Sequence, residues 1–266
     1  MGYPQISIVS IFLNDEKMLK IVTNSILSQT YPNIQHIISI GKSHDGSAEL
    51  LKSSEARYAQ AGKKLTWTNK PDTCIAEAYN NCFELIDKDS EYVLILSNPY
   101  ISSNSLKIQM GALLSGGYDG LFCGAIMQKD GKIIRKLSGG GSPKHWCLGW
   151  QGTTESFIFS KQLLDKTGFF DVERYAHTFG EDYDFFLRIV MNKKWKLGSL
   201  KKPIVNYIGG GISNSRNLEL VKSFYNVLKD KKVKFAWITV AGKCLRVLCR
   251  GMVLHTPVPP ELRIEL

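Results

Sequence analysis

The sequence lacks the features of a disulfide-stapled, zinc-binding or membrane-spanning protein. Its six cysteines form no Cys-x-x-Cys pair and no Cys/His spacing typical of zinc sites. No uncharged run reaches the length that spans a bilayer, and no basic region followed by an apolar stretch opens the chain. We therefore expect reduced thiols and a cytoplasmic protein without a secretory signal, either soluble or peripheral to a membrane.

Signatures of nucleic-acid recognition are also missing. There is no zinc spacing, helix-turn-helix signature or aromatic-interleaved sheet motif, so we expect no nucleic-acid partner despite the net charge of +10. From Lys201 onward, 12 lysines and arginines stand against 4 acidic residues. Residues 229–254 have the pattern of a basic amphipathic helix, which can lie on an anionic membrane surface or pack on the domain with a solvated basic face.

Apolar runs alternate with helical patterns through the first hundred residues. Residues 6–13 and 34–40 are continuous apolar runs typical of buried strands, and a helical pattern at 19–27 lies between them. This order predicts a βαβ unit and a parallel sheet, in which ligands bind at the carboxyl ends of the strands. The expected binding segments are residues 13–14, 41–47, 69–74 and 97–100.

The second half of the chain contains an acidic stretch that opens a helical pattern. Glu181, Asp182 and Asp184 precede an apolar stripe that begins at Phe185. Carboxylates in a first turn suit the positive end of the helix dipole, which is a sufficient explanation for this stretch alone. A carboxylate positioned there can also take a proton from a hydroxyl as a general base.

Four blocks occur in a recognisable order and spacing. Residues 6–14 read Ile-Ser-Ile-Val-Ser-Ile-Phe-Leu-Asn, and residues 25–34 read Ser-Ile-Leu-Ser-Gln-Thr-Tyr-Pro-Asn-Ile. Residues 71–80 read Pro-Asp-Thr-Cys-Ile-Ala-Glu-Ala-Tyr-Asn, and Gly-Phe-Phe-Asp at 168–171 precedes Gly-Glu-Asp-Tyr-Asp-Phe at 180–185. Together they resemble the inverting family 2 glycosyltransferases of GT-A fold, in particular the colanic-acid-type subgroup of bacterial polysaccharide and lipopolysaccharide assembly.

This resemblance, which covers roughly residues 5–210, implies a fold and a function. The fold class is α/β, a Rossmann-like GT-A domain at residues 1–215 with a mostly parallel sheet and helices on both faces, followed by a basic helical appendage at 216–266. The implied reaction moves a sugar, with inversion, from a nucleotide-sugar donor to a hydroxyl of a growing, lipid-linked glycan. Such an enzyme would work at the inner face of the membrane in bacterial surface polysaccharide synthesis.

The resemblance also assigns roles to residues. Asp182 would be the catalytic base, with Glu181 shaping its pKa or binding the acceptor. The aromatic-rich segment at 145–155 is a candidate acceptor wall through Trp150, Gln151 and Thr153, although core filling explains its tryptophans equally well. The nucleotide-sugar pocket would be lined by Ser10, Phe12, Asn14, Gly41, Asp45, Asp72, Asn80, Ser97 and Asn98.

The chain departs from the family pattern on the donor side. The Asp-x-Asp motif that holds Mn²⁺ or Mg²⁺ is replaced by Ser-Asn-Pro at 97–99, and Ile40 stands where the second strand usually ends in Asp. Three interpretations follow. Cationic side chains such as Lys42 meet the diphosphate, another carboxylate replaces the motif, or the chain is a catalytically silent subunit that binds glycan or a partner transferase. The candidate carboxylates are Asp72, Glu77 and Asp182.

Overall fold

The computed structural model describes residues 2–129, 132–139, 153–176, 178, 180–208, 217–233, 237, 241 and 256–257. Its strands are β1 (Ile6–Ile11), β2 (Ile34–Ser39), β3 (Lys64–Thr68), β4 (Tyr92–Ile95), β5 (Gly120–Lys129), β6 (Lys132–Ser138), β7 (Phe157–Ser160), β8 (Leu197–Ile208) and β9 (Thr256–Pro257). Its helices are α1 (Glu16–Leu27), α2 (Ser47–Gln60), α3 (Ile75–Phe83), α4 (Ser105–Gly116), α5 (Lys161–Thr167), α6 (Val172–Tyr175), α7 (Glu181–Met191) and α8 (Asn217–Asp230).

The strands form one mixed sheet in the described part of the chain. Its order is β3-β2-β1-β4-β7-β5-β6-β9, and β8 pairs with β5. The first four strands are parallel, whereas β7 runs antiparallel to both β4 and β5. The parallel pairing sets Val9 of β1 opposite Ile37 of β2 and Ile95 of β4, so these three strands end at one edge of the sheet. The βαβ unit and the parallel sheet expected from the apolar runs are confirmed.

Helices cover both faces of this sheet, as predicted, because the strands are apolar on both sides. On one face, α1, α2 and α4 contribute fully buried side chains such as Leu19, Leu51 and Leu106. On the other face, α3, α5, α7 and α8 pack over a core rich in phenylalanine, in which the rings of Phe122 and Phe157 stack 4.0 Å apart. The sheet thus separates two hydrophobic cores.

Helix α8 joins the second of these cores. Phe224 is 6% exposed and its ring meets that of Tyr183 on α7 at 4.4 Å, while Val227 and Leu228 are almost fully buried. The helix ends at Asp230, and Lys232 adopts a left-handed backbone with φ 54°. The first residues of the predicted appendage therefore pack on the sheet domain, and the predicted basic helix at 229–254 otherwise lies almost wholly outside the described residues.

The described helices are all too short or too polar to cross a membrane.

Substitution within α8 tests whether this helix is part of the core. Phe224→Ala should lower the free energy of unfolding by about 3 kcal/mol, because it empties a buried aromatic site. Its neighbour Tyr225 is 38% exposed, so Tyr225→Ala serves as the matched control and should change stability by less than about 0.5 kcal/mol. Urea denaturation measures both, and equal effects would show that α8 does not belong to the core.

Candidate active site

The loops that follow β1 and β2 lock together at the carboxyl edge of the sheet. Asn14 has a left-handed backbone with φ 51°, its N–H donates to Ser43 Oγ at 2.9 Å, and its Oδ1 accepts the N–H of His44 at 2.8 Å. Asp45 accepts the N–H of Glu16 at 2.9 Å and so ties the same loop to the start of α1. Asn14 and Asp45 thus lie together at the predicted edge, with both side chains bracing its loops.

The loop after β3 brings Asp72 against this pair of loops. Gly41 has φ +51°, and a Cβ built there would lie 2.9 Å from Asp72 Oδ2 and 3.2 Å from the Leu13 side chain. Only glycine allows this close approach without strain. Burial, reinforced by the charge of Glu77, raises the pKa of Asp72. Leu13 is 61% exposed, so an apolar surface and a carboxylate lie side by side at the edge.

Three other residues predicted for the donor pocket lie beneath the edge or are engaged by the backbone. Ser10 is fully buried and hydrogen-bonds His36 Nε2 at 2.9 Å as well as the carbonyl of Leu96. Phe12 belongs to the hydrophobic core. The Asn80 amide donates to the Phe170 carbonyl at 2.9 Å and accepts its N–H at 3.0 Å. Contact of these three side chains with a donor stays a prediction.

The loop that follows β4, residues 97–100, is called the β4 loop below. Ser97 Oγ accepts the N–H of Ile11 at 3.2 Å, and Asn98 Oδ1 accepts the N–H of Ile208 at 2.9 Å. The Asn98 side chain is 7% exposed. These bonds attach the loop to β1 on one side and to the end of β8 on the other.

A carboxylate without a predicted role faces this loop. Glu155 lies in the turn at 153–156, called the bridging turn below, which leads directly into β7. Its Oε1 accepts from Asn98 Nδ2 at 2.9 Å and its Oε2 accepts from the N–H of Ser97 at 3.2 Å. Burial raises the pKa of Glu155 to about 7, although the hydrogen bonds from Asn98 and Ser97 oppose this shift.

The predicted acceptor segment ends in the bridging turn. Thr153 is 9% exposed, and its Oγ1 accepts the N–H of Glu155 at 3.2 Å, so this side chain stabilises the turn. Trp150 and Gln151 lie outside the described residues. Contact of Thr153 with an acceptor is therefore still a prediction.

The acidic stretch begins α7, as predicted. Gly180, with φ 113°, precedes the helix, and Glu181 and Asp182 occupy its first turn. Thr154 Oγ1 of the bridging turn donates to Asp182 Oδ2 at 3.0 Å, which places the predicted base close to the β4 loop. Glu181 is 8% exposed. Burial, together with the charge of Asp182, raises the pKa of Glu181 to about 8.

Ion pairs hold the body of α7 in place behind these acids. The buried Asp184 carboxylate pairs with Arg188 at 3.0 Å and with Lys231, just beyond α8, at 2.8 Å. Arg188 also donates to the carbonyls of Thr167 and Phe169. Because Asp184 is paired with these cations, it supports the helix, whereas Asp182 contacts the bridging turn.

The residues at the β4 loop do not form a divalent-cation site. Mn²⁺ and Mg²⁺ sites are built from several oxygen ligands, usually including carboxylates. Ser97 Oγ and Asn98 Oδ1 already accept backbone N–H groups. Among the described residues, no group of three or more His, Cys, Asp or Glu side chains is arranged to hold a metal. The side chains described at this loop therefore do not fit the metal that the family pattern implies.

Comparison with known proteins identifies the architecture. Residues 7–135 match the family model for glycosyl transferase family 2. No curated protein matches the sequence. Among solved structures, S. aureus TarS 1–349 in complex with UDP-GlcNAc matches with a TM-score of 0.64 and 14% identity, over 84% of this chain and 65% of that one. The chain has a GT-A glycosyltransferase fold.

A second neighbour supports the GT-A assignment. The mannosyltransferase PcManGT from Pyrobaculum calidifontis, in complex with GDP-Man and Mn²⁺, matches with a TM-score of 0.61 and 14% identity, over 98% of this chain and 78% of that one. TarS 1–349 without ligand also matches, with a TM-score of 0.61. The present chain spans 64% of the length of that protein, which is less than two thirds. The predicted fold class is confirmed.

The raised pKa of Glu181 predicts how stability depends on pH. The folded protein holds this proton up to about pH 8, whereas the unfolded chain releases it near the ordinary value of 4.5. The folded state thus binds more protons in this interval, so stability falls as pH rises. Burial lowers the pKa of His36 to about 3, and its opposing contribution is complete above its ordinary value of 6.5.

Between about pH 6.5 and about pH 8.5, ionisation of Glu181 should therefore lower the free energy of unfolding by on the order of 2 kcal/mol. Glu181→Gln should remove this part of the decline, because the introduced amide does not titrate, and Glu155 should account for a smaller remainder. Urea denaturation at stepped pH measures the curves. A wild-type curve as flat as that of the variant would contradict the assignment.

Proposed function

We propose that this GT-A domain transfers a sugar, with inversion at the anomeric carbon, from a nucleotide-sugar donor to a hydroxyl of a glycan. The observation that carries the proposal is the position of Asp182. The bridging turn holds this carboxylate through Thr154, and the same turn contacts the β4 loop at the carboxyl edge of the sheet. Edges of this kind are where open α/β sheets bind ligands.

The chemistry assigned to these residues is a direct displacement. The acceptor oxygen attacks the anomeric carbon as its proton passes to Asp182, and the bond from that carbon to the diphosphate oxygen breaks, with its electron pair leaving on the nucleotide. The buried Glu181 carboxyl holds its proton at neutral pH, because its pKa is raised to about 8, so it can donate a hydrogen bond to the acceptor.

The donor is assigned to the edge formed by the loops after β1, β2 and β3. Asn14 and Asp45 hold these loops in register, and Gly41 allows the backbone to approach Asp72. Lys42 is exposed and follows Gly41 directly in the loop after β2, so it is a candidate to neutralise the charge of the leaving diphosphate. The neighbours bound to UDP-GlcNAc and GDP-Man support a nucleotide-sugar donor as the substrate class.

The acceptor and the site of action extend the proposal. We assign the acceptor to a growing, lipid-linked glycan of a bacterial surface polysaccharide, on the resemblance of the four sequence blocks, taken together, to that subgroup. The basic segment beyond Val233 would hold the enzyme at an anionic membrane surface. Flotation with anionic vesicles tests this assignment. The full chain should float and a chain ended after Val233 should not, so equal flotation of the two would contradict the membrane role.

One observation favours a second function. The β4 loop carries no carboxylate and its polar side chains are bonded within the protein, as expected if the donor site had been lost. The chain would then be a catalytically silent subunit that binds glycan or a partner transferase. That function predicts no nucleotide binding, whereas intact carboxylates at the start of α7 favour the enzyme.

Substitution of the base tests the enzyme directly. Asp182→Asn should lower the rate of sugar transfer, or of donor hydrolysis when no acceptor is supplied, by at least about a hundredfold, because an amide does not accept the proton. Nucleotide binding and the unfolding midpoint should change little.

Asp165→Asn is the matched control, since Asp165 lies on α5 and pairs with Lys161 at 3.0 Å, away from the site. Release of nucleotide from UDP- and GDP-sugars measures all three proteins. Full activity of Asp182→Asn would remove Asp182 as the base.

A further inference from the structure

The β4 loop is fixed along its length by contacts with β8. The Pro99 carbonyl accepts the N–H of Asn206 at 2.9 Å, and Tyr100 forms an isolated antiparallel bridge with Val205. Asn98 Oδ1 accepts from the end of the same strand. Because its oxygen is committed in this way, the Asn98 amide must present its N–H₂ group to the opposite side of the loop.

On that opposite side lies the Glu155 carboxylate, which accepts hydrogen bonds from the β4 loop. One oxygen accepts from Asn98 Nδ2 at 2.9 Å and the other accepts from the N–H of Ser97 at 3.2 Å. Glu155 is 8% exposed, so these two bonds lie out of water. A buried carboxylate that lost them would be left without compensation, which is costly.

The groups that face Glu155 are aromatic or acidic. Burial, and next to it the charge of Glu155, raises the pKa values of Tyr79 on α3 and Tyr207 on β8. The charge of Asp182 acts on both tyrosines, and that of Glu181 acts on Tyr79. Among the described residues, no lysine or arginine forms an ion pair with Glu155. The hydrogen bonds to the β4 loop are therefore its principal stabilising contacts there.

We propose that Glu155 and Asn98 form a carboxylate–amide pair that positions the β4 loop to receive the donor nucleotide. The inference rests on the proposed function, because it concerns donor binding at the same site. In this arrangement the β4 loop supplies the amide of Asn98 and the bridging turn supplies the carboxylate of Glu155. In the family pattern, by contrast, the carboxylates lie on the loop itself. Glu155 is a positioning residue, and through Thr154 its turn also sets the orientation of Asp182.

An exchange of the two groups tests the pair. Glu155→Gln places an amide against the Asn98 amide, and two N–H₂ groups then compete for the same space. Asn98→Asp places two carboxylates in contact. In the double variant the amide introduced at position 155 donates through its N–H₂ group to the carboxylate introduced at position 98. That carboxylate still accepts the N–H of Ile208 with its other oxygen, and the amide oxygen at position 155 accepts the N–H of Ser97. The hydrogen bonds are thus restored with the carboxylate on the other side.

Each single variant should lose about tenfold or more in affinity for UDP or GDP, whichever the wild type binds, and should unfold at lower urea concentration. The double variant should recover most of both losses, and Mn²⁺ should add little to the affinity of the wild type. Glu84→Gln is the matched control, since Glu84 is exposed at the end of α3. Calorimetric titration and urea denaturation supply the two readouts.

Three results would overturn the pair. The first is a Glu155→Gln variant with unchanged affinity and stability. The second is a double variant whose losses equal the sum of the losses of the two single variants. The third is wild-type nucleotide binding that requires Mn²⁺, since a metal would then organise the loop. If the wild type binds neither nucleotide, the proposed function fails and the assigned role in donor binding fails with it. The urea midpoints still show in that case whether the two side chains act as a pair.

Discussion

The parallel pairing of β1 with β2 and β4 is the constraint on which the rest of the structure depends. It requires strands that are apolar on both faces, and these strands in turn require helices on both sides. Because three neighbouring parallel strands end at one edge, their loops meet there even though they are far apart in the sequence. Every residue of the candidate site is positioned relative to this edge.

Two carboxyl groups near this edge are buried and have raised pKa values. Glu155 and Glu181 are both about nine-tenths buried, and burial is the largest cause of their raised pKa values. Such groups reduce the free energy of unfolding when they ionise, so their presence is not explained by a contribution to stability. Carboxyl groups with strongly perturbed pKa values that lie close together are typical of functional sites. In contrast, Asp184 of the same helix is neutralised by Arg188 and Lys231.

The parallel strands in the first hundred residues, and the helices between them, could be predicted from the sequence. The apolar runs at 6–13 and 34–40 exceed the observed β1 and β2 by two residues and one residue at their carboxyl ends, and the helix at the acidic stretch begins where expected. These successes have a simple physical origin, since burial on both faces leaves a continuous apolar signal. The packing of α8 was not predicted, because its apolar residues could equally have faced a membrane or a partner.

The candidate site was only partly predictable for a related reason. Sequence patterns place residues at strand ends, but they do not show whether a polar side chain is free. Asn80 looked like a donor ligand, yet its amide binds the backbone of Phe170. Glu155 is the last residue of the aromatic-rich segment, and the sequence pattern gives it no role of its own. Its one visible signal was a carboxylate two residues before the apolar run of β7, a position at the edge of a sheet.

The central claim is that the carboxyl edge of the parallel strands β1 to β4 binds a nucleotide. The most direct measurement is calorimetric titration of the full chain with UDP, GDP and their common sugar conjugates, with and without Mn²⁺. The account predicts saturable binding of at least one nucleotide that does not depend on Mn²⁺. Absence of binding to every nucleotide under both conditions would contradict the central claim and would favour the silent subunit.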